Sequence, residues 1–406
     1  MAFIDEKFRK LAPIDKSTDL LWLLYLSGEG EERRETDELI DIMLHQKASK
    51  DFREKILLDP GNKKDCSGEY ELGKVIYPDK TYSQFGLREN EWVKHILITG
   101  MTGTGKTNLC FKILRELKKH KKPFLIFDWK KNYRDLLQLE EFKDTKVYTI
   151  GSKISPFIFN PLIPPEKTDP GQWLVRLVDI IKHAYFLGEG VEHLLREGID
   201  YIYTEYGIYD GAIQNPTFSD VKRYIYKLPL QGRMSLWKAS TIRALASLTF
   251  DKSLGITIDH RKRADIESLL KQNVIMELDA LSNNDKVFFT EALILWIYEY
   301  RKNERKREKF KHAIFIEEGH HILSNLKEQN EGEETIIETS LRQIREFGEA
   351  VIVIDQEPSK LSNSIKANTY CKITFNLGNG NDIQNISNCM MLNNEEMKYI
   401  GAIRTT

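Results

Sequence analysis

Residues 98–110 read ITGMTGTGKTNLC, and this stretch decides the fold. Gly100, four further residues, then Gly105, Lys106 and Thr107 follow an apolar run, His95-Ile96-Leu97-Ile98-Thr99, with the composition of a buried strand. Asn108-Leu109-Cys110-Phe111-Lys112-Ile113-Leu114 comes next with helical spacing. Strand, glycine loop and helix is the context in which this pattern holds phosphate. Gly100, Gly103 and Gly105 let the backbone bend so that successive N–H groups point inward at phosphate oxygens. The following helix adds its positive N-terminal end. Thr102, Thr104 and Asn108 complete the expected cradle. Lys106 reaches the β- and γ-phosphates of a nucleotide such as ATP, and Thr107 offers its hydroxyl to Mg2+. Taken alone, the pattern leaves open a glycine-rich turn with an incidental lysine.

A second element narrows that choice. In AIFIEEGHH, four apolar residues, Ala313 to Ile316, stand directly before Glu317 and Glu318. A buried strand of this kind delivers both carboxylates to the crevice at the carboxyl ends of an α/β sheet. Phosphoryl transfer to water requires one group for the metal and one to orient and polarise the nucleophile. Glu317 is assigned to the metal, Mg2+, and Glu318 to the water. The competing reading is a surface acid pair capping the next helix. Gln356, at the end of AVIVID, stands where a neighbouring strand end would sense the γ-phosphate. Arg342 and Arg345 lie just before that strand, placed to reach the next subunit of a ring and stabilise charge in its transition state. His320 and His321 follow the acids, but the spacing is not H-E-x-x-H and no third ligand is evident, so a metal role for them is not expected.

Composition bounds the rest. The chain has 406 residues, 41% hydrophobic, with a formal net charge of -1. It is long enough for two to three domains and is not globally disordered. Charge alone does not announce a nucleic-acid binder, although a basic bore inside a ring would not show in the total. Cys66, Cys110, Cys371 and Cys389 are scattered without a C-x-x-C pair and read as reduced thiols. The first residues carry charges where a secretion signal needs an apolar core. No apolar run approaches the ~18 residues of a membrane span. The expectation is a soluble cytoplasmic protein with no membrane partner.

Along the chain, residues 1–60 look helical and acidic, in two patches broken at Ser27-Gly28-Glu29-Gly30, and suggest a partner-docking segment. LDPGNKKDCSG, 58–68, reads as a linker. EYELGKVIYPDKTYSQFGL reads as short strands leading into the core. Strands then alternate with helices through residues 61–164. From 165 to 260 helical patterns follow one another without strands, as an insertion. The alternation resumes over 261–406, with NVIMEL, a helix through KVFFTEALILWIYEYRKNERKREK, then the acid strand, AVIVID and YCKITF. This is an α/β pattern with a mostly parallel sheet. The basic run 301–312, RKNERKREKFKH, reads as a solvated helix end of mixed sign, with a DNA-facing or partner-facing patch as the other reading.

Together HILITGMTGTGKTNL, FLIFDWKKNYRDL, FNPL, NVIMELDAL, AIFIEEGHHIL and LRQIREFGEAVIVIDQEPSKLS resemble the HerA/FtsK superfamily of ring ATPases, most closely its HerA-like branch, over roughly residues 70–400. The resemblance implies a RecA-like P-loop NTPase core. It also implies a homo-hexameric DNA translocase or helicase partnered with a nuclease or other effector in DNA processing or antiviral defence. By that resemblance Lys106 and Thr107 match the phosphate and magnesium residues, Glu317 and Glu318 the acid pair and Gln356 the sensor, and either Arg345 or Arg342 the finger acting in trans. There are departures. Gly319 stands where the family usually has Ala, and Gln356 is flanked by Asp355 and Glu357 where an Arg often follows. The N-terminal β-barrel of cellular HerA proteins is replaced by an acidic helical segment. Lys130, Lys131 and Arg134, in DWKKNYRDL, are the expected contacts to DNA phosphates.

Two functions remain open on the sequence. One is an ATP hydrolase driving DNA translocation or unwinding. The other is a nucleotide-gated ring scaffold that regulates an effector with little translocation. A small-molecule kinase also uses a glycine loop, but the acid pair and the lack of an arginine-rich lid segment fit it poorly.

Overall fold

The apolar runs before the glycine loop and before the acid pair are strands of one sheet. A computed structural model describes residues 2–403 apart from 13–14, 48–57, 59, 78–79, 212–213, 305–306, 308 and 327–333. In chain order the strands are β1 (Tyr70–Ile76), β2 (Thr81–Leu87), β3 (Ile96–Thr99), β4 (Phe124–Asp128), β5 (Lys146–Thr149), β6 (Val274–Glu277), β7 (His312–Glu317), β8 (Glu349–Asp355) and β9 (Cys371–Thr374). Seven of them form a sheet in the order β5-β6-β4-β7-β8-β3-β9. Every neighbouring pair in it is parallel. Each of β3, β4, β6, β7 and β8 is buried at every residue. Helices cover both faces of such a sheet, so its strands are continuous apolar runs rather than alternating ones.

Register decides where the chemistry can gather. Thr99 pairs with Asp355, Glu317 with Ile354, and Asp128 with Glu277. The carboxyl ends of five strands are therefore level along one edge. The glycine loop leaves β3 and the acid pair leaves β7, and the strand between them, β8, ends at Asp355 beside Gln356. Ligands bind at such an edge in open α/β sheets.

Helix ends follow local chemistry. The helix Ile336–Ile344 starts on a capping box in which Thr335 and Glu338 satisfy each other's backbone N–H, and its 3-10 extension stops at Gly348, φ 89°. The helix Asn283–Lys302 begins where the Ser282 side chain accepts the Asp285 N–H and is buried along almost its whole length. It ends at Lys302, short of the expected extension to 309. Arg301 lies at that end. It is buried against Glu349 on β8 and also bonds Glu304 at 2.9 Å, while Lys311 bonds Glu304 at 3.0 Å. Arg301, at the start of the basic run, is thus tied into the core, while Lys302, Asn303, Arg307 and Lys309 are exposed. Residues 305–306 and 308 of that run lie outside the described residues.

The chain divides into two compact units, Met1–Arg88 with Met391–Ala402, and Glu89–Met390 with Ile403–Thr406. In the first, the helices Ala2–Leu11, Thr18–Ser27 and Glu31–Lys47 enclose a small core of Phe8, Leu11, Leu21, Ile40 and Leu44. The helical reading of 48–57 lies outside the described residues. β1 and β2 pair antiparallel as their own two-stranded sheet and fall in this unit with the N-terminal helices. In the second unit, residues 165–260 form the helices Pro170–Tyr185, Glu189–Glu205, Phe218–Lys227 and Arg233–Leu248, the first packed on Asn283–Lys302. Among the described residues no helix is long and apolar enough to cross a membrane.

Candidate nucleotide site

Backbone conformation builds the loop first. Gly103 and Gly105 have φ of 80° and 104°, values that side chains other than glycine's strain to adopt. At Gly100 the restriction is space, because a Cβ there would stand 2.6 Å from the Phe375 Cβ and 2.9 Å from Thr104 Oγ1. Thr104 is buried and donates its hydroxyl to the Met101 carbonyl at 2.8 Å, which closes the turn. The helix Lys106–Lys119 starts directly after Gly105. Lys106 Nζ donates to the Gly100 carbonyl at 2.5 Å and to the Met101 carbonyl at 2.9 Å, so the ammonium points into the cradle. Burial lowers its pKa, partly offset by the charges of Glu318 and Asp355.

The acid pair lies across the same cavity. Thr102, Gly103, Gly105, Lys106, Thr107 and Asn108 line it from the loop, and Lys130, Asn132, Glu317, Glu318, Asp355 and Gln356 from the other strand ends, around about 360 Å³. Glu317 is buried, with Oε1 3.4 Å from the Asn132 amide and Oε2 without any hydrogen-bond partner. Burial, with the charge of Asp128 added, pushes its carboxyl up to about 8. Asp128, at the end of β4, is also raised by burial, although it accepts the backbone N–H groups of Lys130, Asn132 and Tyr133. A buried carboxylate oxygen with no partner is costly. Lining the same cavity as Thr107, it fits a divalent cation and its water shell, the group that would remove that cost.

Glu318 is held differently. Its backbone is left-handed, φ 48°. Its Oε1 accepts both the Lys130 ammonium and the Gln356 amide, the latter at 2.7 Å. The Gln356 carbonyl oxygen in turn accepts the Thr102 hydroxyl at 2.5 Å. One line of hydrogen bonds therefore runs from the glycine loop through the end of β8 to the acid on β7. The acids flanking Gln356 do not crowd it. Asp355 accepts the His320 backbone N–H at 2.7 Å and its ring Nδ1 at 3.0 Å, and Glu357 pairs with Lys360 at 2.7 Å. Burial alone would lower His320, but Asp355 outweighs it and raises the imidazole above its ordinary value. His321 stacks on Trp129 at 4.7 Å.

Other expected residues lie elsewhere. Gly100 and Thr104 shape the loop without lining the cavity. Arg342 and Arg345 are exposed and do not line it, and Arg342 pairs with Glu334 at 2.8 Å. Of the three cations read as DNA contacts, Lys130 points into the cavity onto Glu318, Lys131 pairs with Asp279 at 2.7 Å, and Arg134 makes a two-pronged pair with Glu277. Asp128 and Asn132 are additions that the sequence reading did not single out. An acid at the end of a buried strand, followed by polar residues, was the available signal.

A parallel sheet with a glycine loop on one strand, an acid pair two strands away and a polar residue on the strand between defines a P-loop NTPase of ATPase type with a RecA-like core. A family model for the central domain of the helicase HerA matches residues 70–384, and the chain belongs to that family. Among solved structures it is similar to VirB4 of Thermoanaerobacter pseudethanolicus, at 14% identity over 85% of this chain and 93% of that one, TM-score 0.65. It is also similar to the bacterial conjugative coupling protein TrwB in its trigonal form with sulphate, at 12% identity over 72% of each chain, TM-score 0.53. At these identities the likeness is one of fold. No curated protein sequence matches the chain.

Proposed function

We propose that the chain is an ATP hydrolase that works as a ring, most simply a homo-hexamer, and couples turnover to translocation along DNA. The observation that carries this reading is the line Thr102–Gln356–Glu318, which ties the phosphate loop to the acid suited to activate water. Lys106 and the loop N–H groups bind the β- and γ-phosphates. Thr107 and Glu317 hold Mg2+, which supplies positive charge to the phosphate oxygens when bound. Glu318 orients the attacking water and accepts its proton, and Gln356 reads the γ-phosphate. Arg342 or Arg345, exposed and outside its own cavity, serves the neighbouring subunit's site. The decisive experiment compares ATP turnover of the wild type and Glu318→Gln with and without DNA. Stimulation of the wild type by DNA, and turnover reduced about 100-fold or more in the variant with nucleotide still bound, supports the reading. A wild-type turnover indifferent to DNA removes the motor.

A second reading has its own observation. On the N-terminal unit Leu20, Leu23, Leu24, Leu26, Leu39 and Ile42 are exposed, each by 46% or more, among Asp19, Glu31, Glu32, Glu35 and Glu38. Exposed apolar side chains with a mostly acidic rim, broken by Arg33 and Arg34, fit an effector segment that is apolar with basic flanks. In this reading the ring is a nucleotide-gated scaffold. Retention of the effector's activity by Glu318→Gln favours the scaffold, and its loss favours the motor.

A further inference from the structure

Thirty consecutive residues, 221–250, contain Lys222, Arg223, Lys227, Arg233, Lys238 and Arg243 but no Asp or Glu, in a chain with 61 acids over 406 residues. They form most of the helix pair Phe218–Lys227 and Arg233–Leu248. The pair is anchored on one side, where Phe218, Val221, Ile225, Ala244, Leu245 and Leu248 are buried. Its outward side is cationic and aromatic. Lys227, Arg233 and Arg243 are exposed and form no ion pair with any described residue. Tyr226 is 71% exposed, with the Lys238 ammonium 5.8 Å from its ring, and the Arg233 guanidinium lies 5.3 Å over Trp237.

Several cations elsewhere in this unit are neutralised. Lys130, Lys131, Arg134 and Arg301 each sit on a carboxylate, and within the pair Arg223 is 3.4 Å from Asp220. On the neighbouring helix Glu189–Glu205, Glu192 is taken by Lys182 and Arg196. Packing does not require exposed, unpaired charges of one sign. Held on rigid helices, they suit a ligand with regularly spaced negative charge. An exposed tyrosine among them adds a stacking face for a base. An anionic membrane would favour a broad apolar face beside the cations, and here most apolar side chains of the pair are turned into the core, with Leu236 and Phe250 exposed singly.

We propose that this helix pair is a DNA-contacting surface, with Lys227, Arg233 and Arg243 on phosphates and Tyr226 against exposed bases. The proposal rests on the reading of the chain as a DNA-dependent ATPase and supplies the contact that Lys131 and Arg134, held by acids, are not free to make.

The test uses the full chain and the triple variant Lys227→Ala/Arg233→Ala/Arg243→Ala. Binding to labelled duplex and single-stranded oligonucleotides is followed across salt concentration, with ATP turnover in the absence of DNA as the control for folding. Loss of three phosphate contacts lowers the log–log salt slope on duplex by about 2.7 and weakens binding about tenfold or more. Turnover without DNA is unchanged. Tyr226→Ala weakens single-strand binding about tenfold and duplex binding less. In the wild type, DNA protects Lys227 from acetylation, a readout that does not depend on any variant folding. An unchanged slope and unprotected Lys227 in a wild type that binds DNA overturn this proposal and leave the motor intact. A wild type that does not bind DNA overturns both. If the triple variant loses binding only to vesicles containing phosphatidylserine, the surface is a membrane contact and the proposal fails.

Discussion

Gln356 Nε2 donates to Glu318 Oε1 at 2.7 Å across the ends of two adjacent strands, although 38 residues separate them in the chain. The same amide receives the Thr102 hydroxyl, so it is the link between the phosphate loop and the acid. Gln356→Ala is expected to lower kcat for ATP about 10- to 100-fold while nucleotide affinity changes little, because the lost contact matters in the reacting complex. Steady-state turnover beside a direct binding measurement separates the two. Equal losses in both would assign Gln356 to simple binding.

Lys106 carries the positive charge at the centre of the loop. Lys106→Ala is expected to weaken ATP binding about 100-fold or more, given that hydrogen bonds to charged groups contribute about 1.5–3 kcal/mol each. The unfolding transition should stay near that of wild type, since the ammonium's two partners are loop carbonyls at the surface of the site. Calorimetric titration with an ATP analogue checks the first point and thermal denaturation the second.

Gly319 follows the acid pair with no room for a side chain. A Cβ there would stand 2.5 Å from Val353 Cγ1 and 3.5 Å from Leu361 Cδ2. Gly319→Ala is expected to cost about 1–3 kcal/mol of stability through overpacking and to reduce turnover by shifting Glu318. Adding Val353→Ala should recover much of the turnover, and failure of that rescue would mean that the clash is not the cause.

The buried triad Arg301–Glu349–His312 makes stability depend on acid. Burial alone would raise the Glu349 carboxyl from 4.5, but the charges of His312 and Arg301 outweigh it and bring it to about 2. The folded value lies below the unfolded one. The contribution is therefore complete above about pH 4.5 and is lost as pH falls toward 2. Denaturant unfolding between those limits should show a loss of a few kcal/mol in the wild type. Glu349→Gln should lack this acid limb and be less stable at neutral pH by about 3–5 kcal/mol, because Arg301 and His312 lose their buried carboxylate and only Glu304 remains for Arg301.

The parts of the site that the sequence shows are those written in consecutive residues. The glycine loop and the acid pair each follow a strand whose burial makes it a plain apolar run, and the sheet follows from those runs. Relations between distant residues stayed hidden. Nothing in RKNERKREKFKH says that Arg301 will meet Glu349, 48 positions on, and so be drawn inward. Lys130 looks like a loop cation until β4 and β7 pair and bring Glu318 to it from 188 residues away. Asp355 beside Gln356 is in sequence only a departure from the family's pattern, and the turn of His320 shows where its carboxylate goes. The independence of the β1–β2 hairpin was equally invisible, because pairing partners are not encoded in strand propensity.

Successive side chains on a strand point to opposite faces of the sheet. A plain extension of β7 would send Glu317 and Glu318 to opposite sides, and one of them would be wasted. The left-handed backbone at Glu318 ends the strand between the two acids and folds the second back toward the first. The conformation costs about 1 kcal/mol or more for a residue with a side chain. In exchange, neighbours in the chain line one cavity as a pair. Their joint aim is thus a property of a single torsion angle, and a substitution that relaxed it would disarm the site with both carboxylates still present.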